Sequence, residues 1–65
     1  GGTLPAVLNA ANEMAVQGFC EGRLGFGEIA AAVARVMGEH DVVREPTLDQ
    51  ILEADAWARR AAGLG

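Results

Sequence analysis

Two stretches of the sequence and two single residues hold side chains whose type and spacing could do chemistry. LNAANE, Leu8 to Glu13, sets two carboxamides three residues apart with a carboxylate beside the second. An asparagine inside a helix competes for backbone hydrogen bonds and costs roughly 0.5 kcal/mol against alanine, so Asn9 and Asn12 need a use. A buried carboxamide donates twice and accepts twice, which suits it to fixing a loop that has no regular partner. The plainer alternative is a wet polar margin on the helix. ADAWARR, Ala54 to Arg60, places Asp55 four residues before Arg59, the spacing of an intrahelical ion pair. His40 and Cys20 are the chain's one imidazole and one thiol.

These residues exclude more chemistry than they offer. His40 has no second histidine to share a metal, and its place near the end of a helix reads as a capping or packing role. Cys20 has no base beside it in sequence and reads as a small, half-buried packing residue. Serine and lysine are both missing from the chain, so a serine triad is excluded. RLGFG precedes an alanine-rich stretch with no strand ahead of it, and so is not a phosphate-binding loop. Glu28, Glu39 and Glu53 could pair with other carboxylates, but spacing alone sets up no acid–base dyad. With a net charge of -4 and arginine as the only long cation, no basic stripe is available for nucleic acid. No run of about 18 apolar residues exists to cross a membrane, and the chain reads as soluble and intracellular.

The elements that must position these groups are helices. Thr3 is placed to cap a first helix, with Pro5 in its opening turn and Gly22 ending it in a left-handed conformation, over Leu4 to Glu21. A second helix runs from Glu28 to about Glu39. Thr47 and Gln50 form a capping box ahead of a third, Leu48 to Ala62. No alternating strand pattern interrupts them. The expected class is all-α, with three helices making most of a small up-and-down bundle of the four-helix type, in one helical domain over residues 1–65.

Helical spacing assigns the faces. In the first helix Leu4, Val7, Leu8, Ala11, Met14, Ala15, Gly18 and Phe19 share a broad apolar side, with Asn12 at its border and Asn9 and Glu13 on the neighbouring side. The second presents Ile29, Val33 and Val36, with Met37 at the margin and an Arg35–Glu39 pair opposite. The third presents Leu48, Ile51, Leu52, Ala58 and Ala62, with Asp55 inside that face and Trp57 pointing the opposite way. An ionised carboxylate there needs a partner. The pattern predicts that Asp55 holds the third helix against the N-terminal turn of the first or the adjoining loop, the alternative being a local pair with Arg59. Three helices of this kind leave apolar sides uncovered, which points to a piece of something larger.

GGTLPAVLNAANEMAVQGFCEGRLGF and then EPTLDQILEADAWAR closely resemble the C-terminal helical domain of the 1-deoxy-D-xylulose 5-phosphate reductoisomerase family. The most distinctive pieces are NAANE, GRLGF and ADAWAR; none is a catalytic motif. The resemblance implies an oxidoreductase that uses NADPH and a divalent cation, Mg or Mn, in non-mevalonate isoprenoid biosynthesis. It also implies a dinucleotide-binding domain and a catalytic domain ahead of a C-terminal four-helix bundle, a homodimeric enzyme and a bacterial cytoplasmic setting. No catalytic, cofactor-binding or metal-binding residue then falls in these positions. Asn9, Asn12, Glu13, Asp55, Trp57 and Arg59 become structural and interdomain residues, whose partners are the remaining domains of the enzyme. A free-standing helical module that binds a partner helix in an apolar groove stays open as the other class.

Overall fold

The computed structural model describes residues 2–63, so Gly1, Leu64 and Gly65 of the expected domain lie outside the described residues. Three helices follow one another: α1 over Leu4–Cys20, α2 over Glu28–Glu39 and α3 over Leu48–Gly63. The expected class and helix limits hold to within one residue. α1 is the central helix, packed against both others. Its start lies beside the α2–α3 linker and its end beside the end of α3, so α1 and α3 run in the same direction and α2 runs against them.

Local sequence explains each boundary. Gly22 adopts φ +79, where a side chain would be strained, and the Gly22 and Arg23 N–H groups return to the Phe19 and Gly18 carbonyls to close α1. Glu28 opens α2 by accepting the Gly25 N–H at 2.7 Å. Thr47 and Gln50 exchange side-chain bonds with each other's N–H at 3.1 and 2.9 Å, the expected capping box. Two arginines from elsewhere reach the end of α3: Arg35 donates to the Ala61 carbonyl at 2.8 Å and Arg23 to that of Gly63 at 3.5 Å. They supply positive charge where the helix dipole favours it.

The N-terminus of α1 departs from expectation. Thr3 makes no side-chain cap bond. It is instead buried, and its Oγ1 accepts the Val43 N–H at 3.0 Å and lies 2.7 Å from His40 Nε2. The Thr3 N–H donates in turn to the Val43 carbonyl at 3.0 Å. Gly2, at φ +75, brings the chain so close that a Cβ there would stand 2.7 Å from that carbonyl oxygen. The hydroxyl thus ties the start of α1 to the α2–α3 linker instead of capping the helix.

The core is made of small residues. Among the described residues the buried apolar side chains are Val7 and Val36 with seven alanines, at positions 10, 11, 15, 32, 54, 58 and 62. Half-buried Met14, Val33, Met37, Trp57 and Ala61 pack around them. The contact face of α3 is therefore Ala54, Ala58 and Ala62: Ala58 and Ala62 hold as expected, Ala54 joins them, and Leu48 and Leu52 are corrected, being 69% and 58% exposed. Alanines let the axes come close, and a wall of leucines would hold them apart. Trp57 is corrected too, since it packs on the core and tilts against His40 at 5.6 Å instead of facing away. On α1, Leu4, Leu8 and Phe19 are also outside the core. Cys20, expected half-buried, is exposed.

Candidate interdomain docking surface

Two kinds of surface flank α1. Toward α2 the surface is apolar: Phe26, Ile29, Ala30, Val33 and Ala34 line a groove of ≈ 530 Å³ whose polar side chain is Asn12. Asn12 also lines a second groove of ≈ 400 Å³ with Pro5, Leu8 and Asn9. Both asparagines are exposed, and neither carboxamide bonds to a described residue. Phe26 is 78% exposed and meets Phe19 edge to face, at 5.7 Å between ring centres. Helical phase puts Leu8, Asn12 and Phe19 on one strip of α1, and that strip continues into the groove.

Toward α3 the surface is charged. Arg59 Nε donates to Asp55 Oδ1 at 2.7 Å, and its Nη2 to Glu13 Oε2 at 3.1 Å. The hydrogen bonds that Arg59 donates to Glu13 and then to Asp55 raise its guanidinium above its ordinary pKa. Asp55 therefore does not hold the N-terminal turn of α1, as the sequence pattern predicts; its partner is Arg59, one turn along its own helix. The reason is the true contact face: with Ala54 and Ala58 packed on α1, Asp55 falls at the edge of the interface, in reach of water. Arg59 is the residue that crosses between helices. Side chains this exposed are screened by water, so the trio orients α3 more than it stabilises it.

A third cluster was not legible in the sequence. Thr3, His40 and Trp57 come together with Glu39, Asp41, Gln50 and Glu53 around a polar groove between the α1 start, the linker and α3. His40 alone carried a signal, as a residue in line with the α2 face; Thr3 reads as an ordinary cap. Among the described residues no three of His, Cys, Asp or Glu stand close enough to hold a metal ion. Among the described residues no helix is long and apolar enough to cross a membrane.

Fold and surface together define a small all-α domain, with its small residues inside and its large apolar ones out. The chain belongs to the family of the DXP reductoisomerase C-terminal domain, whose model matches residues 1–61. It is 50% identical over 62 residues to the 1-deoxy-D-xylulose 5-phosphate reductoisomerase of Thermodesulfovibrio yellowstonii, covering 95% of this chain and 16% of that protein. With the enzyme of the same name from Symbiobacterium thermophilum the identity is 60% over the same shares. With that from a Synechococcus species it is 57%, over 92% of this chain and 15% of the relative. The chain thus spans about 16% of the length of the first two of these relatives. No solved structure matches the chain with significance.

Proposed function

We propose that this chain is the C-terminal structural domain of a 1-deoxy-D-xylulose 5-phosphate reductoisomerase. That enzyme converts 1-deoxy-D-xylulose 5-phosphate to 2-C-methyl-D-erythritol 4-phosphate with NADPH and a divalent cation, Mg or Mn, on the non-mevalonate route to isoprenoids. In this reading residues 1–65 form one helical domain that braces the catalytic domain of a cytoplasmic homodimer. The groups that touch substrate, NADPH and the cation belong to the rest of the polypeptide. The described residues offer no donor set for a cation, so none is assigned to it. Asn9 and Asn12 face the neighbouring domain, while Glu13, Asp55 and Arg59 orient α3 against α1 and Trp57 packs on the core.

The observation that carries the reading is the family match over residues 1–61. The outward-facing apolar side chains support the bracing role, since a brace must present surface for another domain to bury. The test is a pair of assays: substrate-dependent NADPH oxidation by the full-length polypeptide, and NADPH titration of residues 1–65 alone. Turnover by the first and no binding by the second is the expected result. Cofactor binding by the short chain would overturn the division of labour. A full-length polypeptide without turnover would favour the free-standing interaction module.

A further inference from the structure

We infer that Asn12, with Asn9 beside it, reads the main chain of a non-helical segment of the same polypeptide laid into the groove between α1 and α2. The source of that segment rests on the reading above: the chain is 16% of the length of its relatives, so most of such a polypeptide lies elsewhere. The kind of segment follows from the groove itself. Its walls are Phe26, Ile29, Ala30, Val33 and Ala34, and its polar side chain is the Asn12 carboxamide, with no protein partner among the described residues. The second groove, past Leu8 and Asn9, meets the first at Asn12. The Asn12 carboxamide therefore stands where an apolar groove joins a second one whose lining is half asparagine.

Whatever covers that junction must answer a donor and an acceptor. The main chain in the middle of a helix has spent both on its own ladder, and a helix laid here would bury Asn12 without a main-chain partner. Extended or turning chain keeps its N–H and C=O free, and a carboxamide matches them as another peptide unit would. Its apolar side chains then enter the two grooves. Asn9, one turn back on the same side of α1, is placed to meet the next free group.

The test uses the full-length polypeptide. A photo-reactive residue at Ala30, which is exposed on the groove wall, identifies what lies over it. Hydrogen exchange then compares wild type with Asn12→Ala and Asn12→Leu. The expected result is cross-linking to a segment of the same chain outside residues 1–65, whose amides exchange roughly 10- to 100-fold faster in Asn12→Ala. Asn12→Leu should not restore protection. Leucine melting at or above wild type, or a cross-linked segment exchanging at its wild-type rate in Asn12→Ala, would mean that a helix or an apolar wall covers the groove. That outcome overturns this inference and leaves the bracing role intact. Cross-linking to no other part of the polypeptide would overturn both.

Discussion

The Thr3 hydroxyl accepts the Val43 N–H and meets His40 Nε2 while almost fully enclosed, so removing it strands two polar groups at once. Thr3→Val keeps the shape and should lower stability by about 1–3 kcal/mol in a denaturant melt, with Thr3→Ser recovering most of it. A valine variant as stable as wild type would show that water replaces the hydroxyl. Glu21 gives a second prediction at this scale. Arg23, bonded at 2.7 and 3.0 Å, and then Gln17 hold its carboxyl below the ordinary glutamate pKa. A folded pKa below the unfolded one means the contribution is complete above the ordinary value and lost as pH falls through the folded one. A carboxyl NMR titration should place Glu21 lower than in Arg23→Ala; equal midpoints would contradict the contact. Asp55→Asn, finally, should lower Tm by no more than about 2 °C, and the loss should vanish in an Arg59→Ala background. A large loss that persists there would restore the tertiary anchor.

Helix limits were legible because they depend on neighbours in sequence. The Thr47–Gln50 box, the Gly22 turn and the Arg35–Glu39 pair, found at 3.6 Å, all involve residues within four positions of each other. The face of α3 was legible only in part: Ala58 and Ala62 were read correctly, but size and hydrophobicity add Leu48 and Leu52 where packing selects Ala54. Alanine is ambiguous in sequence, equally at home on a surface and in a tight contact. Long-range pairings left still less signal: nothing near Thr3 names His40 or Val43, and nothing near Glu13 names Arg59. Asn9 and Asn12 stood out as polar groups in an apolar helix, but their partner cannot be read from this chain. The α1–α3 contact makes its own prediction. Ala58 is fully enclosed, so Ala58→Leu should destabilise the full-length protein by about 1–3 kcal/mol through overpacking. A neutral leucine would mean that the helices part easily.

The molecule as a whole is built inside out for a soluble unit. Among the described residues the buried apolar side chains larger than alanine are Val7 and Val36, whereas Leu4, Leu8, Val16, Phe19, Phe26, Val42, Val43, Leu48 and Leu52 are exposed. A buried methyl is worth about 0.8 kcal/mol and a fully buried Leu or Phe about 1.5–3 kcal/mol, so a covering partner contributes more than the alanine core does. In the proposed bracing role, most of the stability would therefore come from what this surface rests on. Residue-level footprinting with a reactive carbene, run on the full-length polypeptide and on residues 1–65 alone, tests this most directly. Leu8, Phe19 and Phe26 should label strongly in the short chain and at least several-fold less in the long one. Equal labelling of these three in both would contradict the account.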